Sequence, residues 1–150
     1  MPVPLPVPVP DLETLPMKGF DHERLEVYQS ALQFVVMARD IIKQLPTGFA
    51  DLADQLCRAS TSIVLNTAEG AGEFSKKEKA RFYRIAKRSA TECAGVLDVF
   101  RVLKVLEDAP LLAGRELLLR IVGMHIRLIR NLLESGTGTG MGTGTGEGKG

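Results

Sequence analysis

The sequence contains no tryptophan, and only two tyrosines, two histidines and two cysteines among its 150 residues. Each scarcity removes a class of function. Neither His22 nor His125 stands three residues after a glutamate, so the Glu-x-x-His pairs of a di-iron helical bundle cannot be built. There is no HExxH, no phosphate-binding GxxxxGK[ST] loop and no GxSxG elbow. Cys57 and Cys93 form no CxxC pair, which suits free thiols in a reducing compartment. Both lie among apolar residues, the setting of a buried structural thiol. No apolar run approaches the roughly 20 residues that a membrane-spanning helix needs. The PVPLPVPVP stretch at residues 2–10 has proline at every second position and no basic flank, so it does not read as a signal peptide. A cytoplasmic location is expected. Period-two alternation is also missing, and no strand is predicted.

What the sequence does have is helix. Six prolines (2, 4, 6, 8, 10 and 16) mark residues 1–19 as an extended, disordered arm. The GTGTGMGTGTGEGKG run marks residues 136–150 as a flexible tail. Between them, residues 20–135 divide into four helical stretches. The first is predicted to open at Asp21 as N-cap and to end at Leu45 before Pro46, with Leu25, Tyr28, Leu32, Val35, Val36, Ile42 and Leu45 inward. The second spans Phe49 to Ala68, with Leu52, Leu56, Ala59 and Ile63 inward and Gly70 and Gly72 as a left-handed C-cap. Ser75 and Glu78 form a capping-box pattern for the third, whose inner row is Phe82, Ile85, Ala86, Ser89, Cys93, Val96, Leu97, Phe100 and Leu103. The fourth runs from Leu111 to Glu134 behind Asp108 and Pro110, and Gly136 stops it. Short turns between long helices predict an all-α, antiparallel up-down-up-down bundle. Its core is expected to consist of Leu, Ile, Val and Ala.

Two polar patterns stand out. Gln55, Arg58, Ser62, Asn66 and Glu69 step by three, four, four and three, which holds them on one stripe beside the apolar face of the second helix. They could wet the bundle edge, or form a hydrogen-bonded network within or between subunits. On the third helix, residues 76–88 carry a net +6 in a chain whose total is only +1. Lys77, Arg81, Arg84 and Arg88 form a stripe there with Tyr83 set among them, and Arg120, Arg127 and Arg130 form a looser row on the fourth helix. Such stripes are either solvated helix faces or the footprint of phosphate-backbone binding, which repetition around an oligomer would strengthen. Gly70-Ala71-Gly72 follows a helix rather than a strand and reads as a turn, not a phosphate loop. His125, between Met124 and Ile126, reads as a satisfied or half-exposed side chain. No catalytic residue, metal ligand or cofactor site emerges.

Further residues share the order and spacing of one family: Phe20, Leu25-Glu26-Val27-Tyr28 and Ala31; Arg58-Ala59, Ser62-Ile63, Asn66 and Ala68-Glu69-Gly70; Arg81-Phe82, Ala86, Ser89 and Glu92. The chain resembles the bacterial four helix bundle proteins, also called 23S ribosomal RNA intervening-sequence proteins, from about Phe20 to Leu133. The resemblance implies a bundle that assembles into a ring, commonly a pentamer. It is similar in architecture to the accessory variability proteins of diversity-generating retroelements, basic pentamers that bind nucleic acid and associate with a reverse transcriptase. Two positions depart from the pattern: Glu73 where a basic residue is usual, and Arg88 where a small one is. The functional expectation is a non-enzymatic homo-oligomeric scaffold that binds structured RNA or DNA through its basic rows. The alternative is an adaptor that docks a larger enzyme such as a reverse transcriptase.

Overall fold

A computed structural model describes residues 19–137. The expected Pro-rich arm lies outside the described residues except for Gly19, and the expected tail except for its first two positions. Within them the chain forms a single 3-10 turn at Asp21–Arg24 followed by four helices: α1 Glu26–Lys43, α2 Ala50–Gly72, α3 Lys76–Val102 and α4 Asp108–Thr137. Their backbones approach one another around the cycle α1, α2, α3, α4 and back to α1, with no approach along either diagonal. Gln55 meets Glu92 while Ser62 meets Ser89, and Asp98 meets Arg115 while Arg101 meets Asp108, so α2 and α3, and α3 and α4, run in opposite directions. The molecule is an all-α antiparallel four-helix bundle.

The ends of the helices differ from the sequence expectation in instructive ways. Asp21 does not cap α1: it opens the 3-10 turn, and extended Leu25 (φ −81°, ψ 123°) precedes the α-helix without a side-chain cap. Ser75 does cap α3, its Oγ accepting from the Glu78 amide at 3.0 Å. The reciprocal half of the box is replaced by an ion pair from Glu78 to Arg81. The α3 C-terminus closes on Lys104 in the left-handed region (φ 54°), with the Val105 amide donating to the Phe100 carbonyl. In α4, Gly136 does not stop the helix, which continues to Thr137.

Gly70 and Gly72 are not a left-handed C-cap. Both are helical, and neither has positive φ. A Cβ built at Gly70 would sit 2.6 Å from Tyr83 Cε1, so glycine is present there because the α3 ring lies against the α2 backbone. The exposed α2 carbonyls find a cation instead: Lys79 Nζ donates to Ala71 O at 2.7 Å and to Gly70 O at 3.3 Å.

Helical periodicity was legible, but its phase was wrong on α1. The buried row is Val27, Ala31, Phe34, Ala38 and Ile41, while the predicted Leu25, Tyr28, Leu32, Val35, Val36, Ile42 and Leu45 are only half-buried. Apolar residues cover more than half of that helix, so periodicity alone left its rotation free. On α3, Tyr83 turns inward at 4 % exposure and Leu103, predicted inside, is 55 % exposed beyond the last turn. The core also uses aromatics, with Phe34 and Phe100 fully buried and Phe49 edge-on to Phe100.

Candidate functional site

The polar stripe on α2 splits into two roles. Its inner members bond across to α3. Gln55 Nε2 donates to Glu92 Oε1 at 3.0 Å, and the hydroxyls of Ser62 and Ser89 lie 2.8 Å apart. Asn66 Nδ2 donates back to the Ser62 carbonyl and hydroxyl at 2.9 and 3.0 Å. The part-buried serine and asparagine bonds satisfy polar atoms that helix packing would otherwise strand, while the Gln55–Glu92 bond is exposed. The outer members do not join the network. Arg58 is exposed and pairs with Asp54 one turn earlier on its own helix, and Glu69 is exposed with no ion pair among the described residues. Ser89 and Glu92 were not singled out as partners of this stripe, because the sequence places them on another helix in unknown register. Together Gln55, Arg58, Ala59, Ser62, Ser89 and Glu92 line an open groove of ≈ 370 Å³ between α2 and α3.

The basic row on α3 is exposed along its length at Lys77, Arg81, Arg84 and Arg88. Arg81 is engaged, bonded to Glu78 at 3.1 Å and stacked 4.9 Å above the Phe82 ring centroid. Among the described residues no carboxylate lies within ion-pair distance of Lys77, Arg84 or Arg88. Lys79, off the row, serves the α2 carbonyls, and Tyr83 is buried rather than set among the arginines. Arg120, Arg127 and Arg130 are exposed as well. Arg127 lines a second groove with Leu25, Val27, Met124 and Leu128 at the α1–α4 seam, and Arg120, seven residues earlier, shares that side. The opposite flank of α4 meets α3 through Arg115 and Asp98, 3.2 Å apart. By helical spacing Arg130 falls between Arg127 and that α3-facing flank.

An apolar row was missed. Leu112, Leu119, Ile126 and Leu133 recur every seven residues on the outside of α4 and are 42, 61, 38 and 54 % exposed. The spacing is in the sequence, but α4 carries leucine and isoleucine on nearly every side, so only the packing shows which side is uncovered.

The thiols and imidazoles are unequal. Cys57, expected inside, is exposed, because it falls about 100° round α2 from the inward Leu56, off the buried face. Cys93 is buried and its pKa is pushed up to about 12, first by desolvation and then by Glu92. That thiol is inert at neutral pH. His125 is fully buried. Its Nε2 lies 2.9 Å from Thr67 Oγ1, whose hydroxyl in turn bonds the Ile63 carbonyl, while Nδ1 has no partner of good geometry. Burial lowers its pKa to about 4, against the opposing Ile121 carbonyl and with the Lys87 charge adding to the fall. A neutral imidazole tying α4 to α2 across the bundle is a structural cross-link.

Among the described residues no three His, Cys, Asp or Glu side chains gather as a metal site, and no helix is long and apolar enough to cross a membrane. No curated protein matches the chain. The family model described as 23S rRNA-intervening sequence protein matches residues 23–126, from the 3-10 turn into the second half of α4 and across both halves of the α2–α3 network. The chain belongs to the 23S rRNA-intervening sequence protein family.

Proposed function

We propose that the protein is a non-enzymatic, homo-oligomeric helical scaffold that binds nucleic acid through the basic row on α3. The observation that carries this reading is the exposure of Lys77, Arg84 and Arg88 on one stripe without a carboxylate partner among the described residues. Cations spaced along a rigid helix release counterions when they meet phosphates, so affinity falls steeply with salt. Self-association is supported by the uncovered Leu112, Leu119, Ile126 and Leu133 row, since aliphatic rows of this length on a helix surface lose solvent contact when a neighbouring subunit covers them. The pentameric ring that the family resemblance implies would repeat the α3 row around a common axis. It would also bring the basic rows of neighbouring subunits together. A cytoplasmic location fits an exposed free thiol at Cys57.

Fluorescence titration of structured RNA and duplex DNA at two salt concentrations tests the reading, with wild type against an R81E/R84E/R88E variant. Salt-sensitive binding lost in the variant is the expected result. Equal or salt-insensitive binding by both proteins overturns it. Light scattering on wild type and L119D/I126D tests the assembly: a large oligomer for the first and a folded monomer for the second are expected.

The adaptor reading draws on a different feature. Val99, Val102 and Leu103 are 40, 78 and 55 % exposed at the α3–α4 end of the bundle, an apolar tip suited to a protein surface such as a reverse transcriptase. Loss of nucleic-acid binding together with retained capture of such an enzyme favours this second reading.

A further inference from the structure

The α2–α3 groove adjoins the basic row. Arg88 is the residue before Ser89 and stands one turn from Glu92, so on α3 the last cation of the row and the carboxylate of the groove are neighbours. A surface made only for phosphates is ill served by a carboxylate there, because it repels the ligand. Glu92 is not neutralised by an ion pair among the described residues. Its one hydrogen bond among the described residues is from the Gln55 amide, which fixes the carboxylate yet leaves its second oxygen open. Arg58 lines the same groove from the α2 side with most of its N–H groups outside its bond to Asp54.

A carboxylate and a guanidinium on one open groove present acceptors beside donors. That is the complement of the guanine edge, with its N1–H and N2–H₂ donors and O6 acceptor. Adenine offers an acceptor at N1, which Glu92 would repel, and uracil offers one donor where guanine offers two. The edge is free only in unpaired strands.

We propose that the groove lined by Gln55, Arg58 and Glu92 seats a guanine base of a single-stranded nucleic acid whose phosphates lie along Lys77, Arg84 and Arg88. Glu92 accepts from N1–H and N2–H₂, and Arg58 donates to O6. The paired Ser62 and Ser89 hydroxyls and Ala59 form the floor under the ring. This rests on the nucleic-acid reading above and adds to it a base preference located outside the basic row.

The experiment measures the anisotropy of short labelled strands of oligo(U), oligo(A), oligo(C) and alternating U and G with the full chain. Wild type is expected to bind the G-containing strand roughly tenfold more tightly than the other three, the discrimination of one good bidentate base contact. E92Q, which keeps the side chain's shape and an acceptor for Gln55, should abolish that preference while oligo(U) binds no more weakly, because a repelling charge is gone; R58Q should abolish it too, with oligo(U) weakened by no more than the loss of one cation. R84E/R88E should weaken all four strands alike. Equal affinity of wild type for the four strands overturns the base site and leaves phosphate binding standing, and so does a G preference that survives both E92Q and R58Q. No binding of any strand or of structured RNA overturns the nucleic-acid reading and the base site with it. Circular dichroism of E92Q and R58Q shows that the variants compared are folded.

Discussion

Gly70→Ala is the substitution at which helix propensity and packing give opposite signs. In an open helical position, glycine to alanine stabilises by about 0.5–1 kcal/mol, because the unfolded chain loses freedom. Gly95 is such a position: it lies within α3, is exposed, and a Cβ there would meet nothing within 4 Å. At Gly70 the same Cβ would fall 2.6 and 2.8 Å from Tyr83 Cε1 and Cδ1 and 3.2 Å from Phe82 Cβ. The ring has little room to yield, being 4 % exposed with its centroid 6.3 Å from that of His125. Forcing extra volume into a close-packed contact costs about 1–3 kcal/mol, so Gly70→Ala should be destabilising by about 1–2 kcal/mol after its propensity gain. Gly95→Ala should be stabilising by up to about 1 kcal/mol. Urea unfolding followed by circular dichroism, at one fixed protein concentration, reads the two midpoints with a common slope. In a Tyr83→Ala background the penalty at Gly70 should disappear, a coupling measurable as a double-mutant cycle. A Gly70→Ala midpoint at or above that of Gly95→Ala would refute the argument that Tyr83 dictates glycine there.

Four other substitutions have definite signs. Lys104→Gly relieves a left-handed residue at the α3 C-terminus and should raise stability by about 0.5–1 kcal/mol in the same unfolding assay. The depressed His125 pKa means that the unfolded state binds more protons between about pH 6.5 and the folded value of about 4. Stability is then fully present above that window and falls by on the order of 3 kcal/mol as pH drops through it. His125→Asn should flatten this slope while lowering stability at neutral pH, and an unchanged slope would assign the acid sensitivity elsewhere. Ser89→Ala removes one side of the 2.8 Å hydroxyl pair with Ser62 and should cost about 1 kcal/mol. Ser62→Ala should cost more, because it also strips Asn66 of an acceptor.

The residues of the α2–α3 network could be named from the sequence only in part. Gln55, Ser62 and Asn66 were visible as a stripe because helical spacing is a local property of one segment. That Gln55 meets Glu92, and Ser62 meets Ser89, depends on the register of two helices, which follows from the short Glu73–Ser75 connection and the packing of Tyr83 on Gly70. The basic row on α3 was legible for the same local reason. Its division was legible only in part: the Glu78–Arg81 pair is an i, i+3 contact within α3, whereas Lys79, beside the row, is drawn to the α2 carbonyls by a neighbour in space.

By itself the sequence determined the existence of four helices, their turns and the concentration of positive charge on α3, since these follow from side-chain spacing, breakers and composition along one segment. Tertiary structure alone decided which apolar row of α1 turns inward. It also decided that Gly70 serves a ring rather than a turn, and that Leu112, Leu119, Ile126 and Leu133 remain uncovered. A helix with apolar residues on most of its circumference has several nearly equal orientations. The choice among them is made by the shape of the neighbours it packs against.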